Sequence, residues 1–275
     1  MPLSVNTNIA SLSAQRALSN SQGTLETAFE RLSTGKRINS AVDDAAGLAI
    51  STTLGSRVSG INQAIRNTND GISVVQIAEG SLDEVTNILQ RMRDIAVQAA
   101  NDSLGSNERT YLDTEQSNLA SALDDVAGAA KFGTTALLGG GFSSGKTFQI
   151  GAEDGDTLSI SIDTISAATL TVGAGSITLT SAALASDAIA AIDTALDAVA
   201  ADRAGLGAIQ SQLESTVRNL ANVAENTAAA QSRIVDTDYA AETANLTKAQ
   251  ILQQASTAIL AQANAQPQAV LALLQ

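Results

Sequence analysis

The stretch RVSGINQAIRNTNDGISVVQIAEGSLDEVTNILQRMRDIAVQAAN, residues 57–101, decides the fold. Ile61, Ile65, Thr68, Ile72 and Val75 recur at spacings of four and three. The pattern slips once near Ala78 and resumes at Leu82, Val85, Leu89, Met92, Ala96 and Ala99. Such spacing lays one apolar stripe along an amphipathic helix. A helix of these 45 residues would span roughly 65 Å, longer than an ordinary globular domain needs. Other long helices must cover the stripe.

Working toward the N-terminus, residues 3–33 carry Val5, Ile9, Leu12, Leu18, Leu25, Phe29 and Leu32 at helical spacing. Residues 34–39, with Gly35, Lys36 and Arg37, read as a break. Asp43 and Asp44 then precede AAGLAIS and can cap a helix that runs on into the spine. Toward the C-terminus, residues 102–106 read as a turn and Asn107 as the cap of the next helix. Leu112, Gln116, Leu119, Leu123 and Val126 give that helix its stripe, to about Ala130. The short turn folds it back antiparallel on the spine.

The character then changes. Nine of the 20 glycines fall between Phe132 and Ser176. Apolar residues alternate at Phe148 and Ile150, at Leu158, Ile160 and Ile162, at Leu170 and Val172, and at Ile177 and Leu179. The turn signals 152–156 and 173–175 separate them, and a small set of hairpins is predicted. Helical spacing returns from Ile189 through Leu196, Leu206 and Leu213 to Val223. VDTDY at 235–239 marks a break. A last helix follows with Leu246, Ile251, Leu252, Ile259, Leu260, Val270, Leu271, Leu273 and Leu274, and no charge follows Lys248. The expected fold is mainly α: a long antiparallel helical bundle or coiled coil formed by both chain ends, with a small β-hairpin insert. The expected segments are an N-terminal axial helix at 1–42, a helical core domain at 43–140 and 183–234, the insert at 141–182, and a C-terminal axial helix at 235–275 that pairs with the first.

Composition narrows the function. Hydrophobic residues make up 44% of the chain but aromatic ones only 2%, so the apolar content is small and aliphatic, as suits closely packed helices. The chain has no Cys and no His, which excludes disulfides, Cys nucleophiles, zinc fingers and His-based acid–base sites. A net charge of −13 argues against a nucleic-acid partner. No run of apolar residues is long enough to span a bilayer, so no membrane insertion is expected. The start, MPLSVNTNIASLSAQRALSN, lacks the basic and apolar regions of a secretory signal; on that ground alone a cytosolic protein is expected.

Three patterns could carry chemistry. The paired acids Asp43–Asp44 and Asp124–Asp125 could bind a metal or exchange protons, but they read first as helix caps and solvated faces. Gly139–Gly141 with Gly145–Lys146 lacks the spacing of a phosphate loop and leads into strands. Arg91 and Arg93 form a basic cluster too small for nucleic acid. No enzyme activity, cofactor or metal is expected. The uncharged last helix is the stronger clue. A large apolar face marks an interface, and without basic and aromatic residues it does not fit a membrane surface. Self-assembly is the leading reading, beside an ordinary core helix in a monomeric bundle.

VNTNIASLSAQRALSNS near the start and LSTGKRINSAVDDAAGLAIS at 32–51 resemble the N-terminal region of bacterial flagellins. LGAIQSQLESTVRNLANVAENTAAAQSRIVDTDYAAETANLTKAQILQQASTAILAQANAQPQAVLALLQ at 206–275 resembles their C-terminal region. The resemblance covers all but about residues 140–185. It implies a structural subunit that self-assembles into the flagellar filament for motility, with both ends paired along the central channel. The axial residues would include Ile9, Leu12, Leu18, Leu25, Leu252, Ile259, Leu260, Val270 and Leu273. The insert is short, so large outer domains are not expected. The alternative is a hook–filament junction protein, which shares the terminal architecture.

The resemblance also implies export, unfolded, through the flagellar type III apparatus, which reconciles an extracellular protein with an uncleaved start. It implies further partners: an export chaperone on the last helix, the filament cap and the hook-associated junction proteins. A Toll-like receptor for flagellin is another candidate. The family's recognised patch maps onto Gln90, Arg91, Ile95 (where leucine is usual) and Glu115. The same patch would lie between subunits in the filament. The Ser/Thr-rich insert, roughly 143–181, is the expected place for O-glycosylation.

Overall fold

The structure is a computed structural model. It describes residues 7–272, with side chains described through residue 265. The elements run α1 (Ile9–Thr34), α2 (Ala45–Ala99), α3 (Ser106–Ala129), β1 (Lys131–Phe132), β2 (Thr135–Ala136), β3 (Lys146–Gln149), β4 (Thr157–Ile160), α4 (Ala182–Val235) and α5 (Tyr239–Ala272). The chain divides into two compact units. One holds the residues up to Val58 and those from Asn226 onward; the other is Ser59–Glu225.

Within Ser59–Glu225 the spine behaves as its stripe requires. Val75, Ala78, Leu82, Val85, Leu89, Met92, Ala96 and Ala99 are all buried in one cluster with Leu123 and Ala127 of α3 and Ile192, Val199, Leu206 and Leu213 of α4. Two ion pairs fix the sense of packing. Arg93 Nε meets Asp193 Oδ1 at 2.6 Å and Arg203 meets Asp83 at 3.1 Å, so α4 runs back along α2 residue for residue. The hydrogen bond to Arg93 holds the Asp193 carboxyl below its usual pKa, and the same bond raises that of Arg93. Arg109 of α3 turns back to α2. Its Nε donates to the Ala99 carbonyl at 3.1 Å and its Nη2 to the Asn101 carbonyl at 3.0 Å. These carbonyls lie where α2 runs out of helical donors, so the side chain serves as a C-terminal cap.

The paired acids are structural. Asp44 Oδ1 accepts the Gly47 amide at 2.9 Å, and Asp43 Oδ2 accepts the Ser40 and Asn39 amides. Those backbone donors lower the Asp43 pKa. Asp124 Oδ1 accepts the Ala167 amide at 2.7 Å, and Asp113 Oδ1 accepts the Leu179 amide at 2.8 Å. Two α3 carboxylates thus staple the insert to the helices. The turn 102–106 forms, but Gly105, not Asn107, occupies the N-cap of α3 and makes no side-chain cap bond.

One of the expected hairpins forms. β3 pairs antiparallel with β4, Lys146 opposite Ile160 and Gln149 opposite Thr157. Asn67 of α2 donates to the Gln149 carbonyl at 3.1 Å. At Gly60 a methyl group would stand only 3.2 Å from the Ala152 side chain, so a residue without Cβ lets the hairpin turn close on the helix. The second expected hairpin does not form. Leu170, Val172, Ile177 and Leu179 are buried, but their chain makes only an isolated bridge, Ala174 to Ile177. The alternation recorded burial on one face, and local turns rather than a ladder satisfy the backbone. A two-residue hairpin, β1 with β2, stands earlier than expected.

Asp202 of α4 faces Asp163 across a cavity of about 180 Å³ also lined by Ser161 and Leu206. Burial and the neighbouring carboxylate both raise the Asp202 pKa. A carboxyl whose pKa is raised on folding costs stability above the folded pKa, and the cost disappears below the unfolded pKa. Asp202→Asn is therefore expected to raise the melting temperature of this unit at pH 7, with the gain shrinking as pH falls into the carboxylate range. Melts followed by circular dichroism at neutral and acid pH check this; an equal gain at both would contradict it.

Candidate assembly surface

In the other unit, α1 and α5 pack against each other antiparallel. Asn8 at the start of α1 touches Ala263 late in α5, while Arg31 near the end of α1 lies 3.8 Å from Glu242 in the first turn of α5. The seam consists of small residues. Ser11, Ala14, Ser21 and Ala28 are the buried residues of α1. They face Ala249, Ser256 and Ala263, and Glu242 is also buried. Alanine and serine let two helix axes approach closely and leave no room between them for large side chains.

The large apolar residues are displaced to the flanks. Ile9 is 73% exposed, Ile251 60% and Ile259 58%, and Leu12, Phe29 and Leu252 are exposed as well. Leu18, Leu25 and Leu260 are half-buried. The Val270 side chain and Leu273 lie outside the described residues. Apolar patches of this extent are rare on monomeric proteins and mark interfaces.

The break between α4 and α5 falls where VDTDY stands. Val235 ends α4, Tyr239 opens α5, and Asp238 Oδ1 accepts the Ala240 amide at 2.9 Å as a cap. This segment pairs with the GKR break. Arg37 N donates to the Val235 carbonyl at 2.6 Å and Thr237 N to the Gly35 carbonyl at 3.0 Å. Gly35 sits at φ 70°, the left-handed conformation that ends α1. The two loop segments thereby tie both terminal helices at one end.

The second candidate patch lies on the Ser59–Glu225 unit. Arg91 Nη2 of α2 donates to Glu115 Oε1 of α3 at 2.7 Å. Gln90 and Arg91 are exposed and Glu115 is half-buried, and the ion pair joins Arg91 to Glu115 at the surface. Ile95 does not join them. It is 1% exposed and packs in the core, because it stands three residues after Met92 and four before Ala99, on the same buried stripe as both. Among the described residues no group of three acids gathers as a metal site, and no helix is long and apolar enough to cross a membrane.

Residues 5–143 match the bacterial flagellin N-terminal helical region and residues 189–274 the bacterial flagellin C-terminal helical region. The flagellin of Halalkalibacterium halodurans is 41% identical over 271 residues, which is 98% of this chain and 99% of that one. The chain belongs to the bacterial flagellins. Flagellin B of Vibrio cholerae is 36% identical over an alignment of 376 positions that covers both chains completely, so that flagellin carries additional residues which this shorter chain lacks. The crystal structure of Bacillus cereus flagellin superposes with a TM-score of 0.50 at 30% identity, covering 60% of this chain and 94% of that one. Flagellins are structural proteins of the flagellar filament, an extracellular assembly.

Sequence reasoning did not find the small-residue seam, the Asn8 contact, the Arg109 cap or the Asp113 and Asp124 staples. The seam had a signal: Ala249, Ser256 and Ala263 recur every seven residues. The staples had none, because the residues involved are 43 and 66 positions apart.

Proposed function

We propose that this flagellin is the repeating subunit of a helical filament in which neighbouring copies cover the apolar flanks of α1 and α5. The observation that carries the proposal is the exposure of Ile9, Leu12, Phe29, Ile251, Leu252 and Ile259 around a seam of small residues. A helix pair built this way is closed within itself and open toward further copies. In this reading 1–42 and 235–275 form the axial segments, 43–140 and 183–234 the surrounding helical domain, and 141–182 a short outer insert.

The chain reaches the filament tip unfolded through the flagellar type III apparatus. The absence of cysteine is compatible with that passage, since no crosslink can form on the way. Before export a chaperone shields α5, and the filament cap and hook-associated proteins meet the same terminal helices. The group of exposed Gln90 and Arg91 with half-buried Glu115 is the patch that a Toll-like receptor for flagellin would meet on released monomer, and Ile95 supports it from beneath.

Electron microscopy of the purified chain, seeded with filament fragments, tests the reading. Long hollow filaments are the expected result. A chain that stayed monomeric beside competent seeds would point instead to a junction-protein role.

A further inference from the structure

The seam of the terminal pair does not fix its own register. Its small residues recur every seven positions, at Ala14, Ser21 and Ala28 on α1 and at Ala249, Ser256 and Ala263 on α5. Sliding α5 by one heptad sets alanine or serine against alanine or serine again, with a similar fit. A defined register needs contacts that do not repeat. The described residues provide them at the two ends of the pair. At one end Arg31 lies 3.8 Å from the buried Glu242, beside the backbone bonds that tie Gly35 and Arg37 to Thr237 and Val235. At the other the contact involves an irregularity in the helix itself.

Pro267 lies inside α5, four residues beyond Ala263. Proline has no amide hydrogen, so the Ala263 carbonyl is without its helical donor. Asn8 Nδ2 donates to that carbonyl at 2.7 Å. The Oδ1 of the same side chain accepts the Ser11 amide at 3.1 Å and caps α1. Next to it, Ser11 Oγ donates to Asn264 Oδ1 at 2.8 Å. We infer that Asn8 is a register latch: its amide reads the one carbonyl that Pro267 frees, and so fixes which heptad of α5 faces which heptad of α1. A slid pair would leave that carbonyl without its partner, at a cost the seam cannot offset. The consequence for assembly rests on the filament reading, because a slid pair would present Ile9 and Ile259 to neighbouring copies at the wrong heights. Asn8 is a positioning residue.

The cysteine-free chain permits a direct test. A reference chain carries Ser11→Cys, Asn264→Cys and Thr257→Cys. A disulfide from position 11 to 264 reports the native register, and one from 11 to 257 reports a slide of one heptad, about 10 Å along a helix and outside disulfide reach in the native register. Mass spectrometry of the oxidised protein gives the ratio of the two. Asn8→Asp keeps the acceptor for the Ser11 amide and puts a negative charge at a helix N-terminus, where it is favourable, but removes the donor. It is expected to lower the ratio of native to slid disulfide about tenfold. A residue that only capped α1 would leave the ratio unmoved.

Pro267→Ala returns a helical donor to the Ala263 carbonyl and favours the helix. It is expected to lower the ratio similarly, and the two substitutions together no further than the larger single effect, because both remove one interaction. Ratios within about twofold of the reference in both single variants, or effects that multiply to about 100-fold in the double variant, would overturn the latch. The ratio is read on filaments and on soluble chain. Failure of the reference chain to assemble bears on the filament reading, whereas the soluble ratio still decides the latch.

Discussion

Ile259→Asp is expected to abolish filament growth while leaving the melting of the Ser59–Glu225 unit unchanged. Ile259 is 58% exposed in the single copy, so a carboxylate there is solvated and costs within about 0.5 kcal/mol, as for ordinary surface substitutions. Covered by a neighbouring copy, the same carboxylate has to be buried without a partner, a cost of several kcal/mol at each contact. The helix has no Lys or Arg after Lys248 to compensate it. Every subunit added to a filament meets the penalty, so the critical concentration should rise by more than about 100-fold, since each 1.4 kcal/mol is a factor of ten. Removing residues 251–275 should have the same result by a cruder route, because it deletes Ile251, Leu252 and Ile259 together with the Ala263 end of the seam. Sedimentation of seeded protein and a circular dichroism melt check both halves. Normal filaments from either variant would mean that α5 is not the assembly face.

How much of this surface was legible in the sequence depends on the range of the interactions. The long helices were legible because their stripes are local: Leu82 through Ala99 repeats within one element and ends up in one core. The break at VDTDY was legible for the same reason, since Asp238 caps the helix that begins at Tyr239. Leu170 to Leu179 was misread because alternation reports burial on one side, and whether it becomes a ladder depends on a partner strand that the helices supply instead through Asp113 and Asp124. The outward direction of Ile9 and Ile259 was not legible from hydrophobicity. Large residues attract attention, yet Ala and Ser form the seam, because the closeness of two helices selects small side chains. Ile95, placed in the receptor patch by resemblance, is buried in the core of the single copy, since its own stripe places it there.

Leu89→Ala separates the two kinds of apolar residue that the chain carries. Leu89 is fully buried at the centre of the α2 stripe, among side chains of α2, α3 and α4. Deleting its branched end removes the transfer term and leaves a cavity that helices held by two ion pairs cannot readily close, for about 3–4 kcal/mol in all. For a domain of this size each kcal/mol moves the midpoint by about 2–4 °C, so the melting temperature should fall by roughly 10 °C. Assembly well below that temperature should persist, because no flank of α1 or α5 has changed. Leu252→Ala is expected to behave in the opposite sense: the side chain is exposed in the single copy, so the melt stays put while the critical concentration rises, by about the worth of a buried leucine in the filament. Thermal melts and seeded sedimentation of the two variants side by side give a crossed result if α2 supplies the core and α5 the contact between copies. A melt lowered equally by both would place Leu252 in a core of its own and remove the argument that its face is kept for a neighbouring copy.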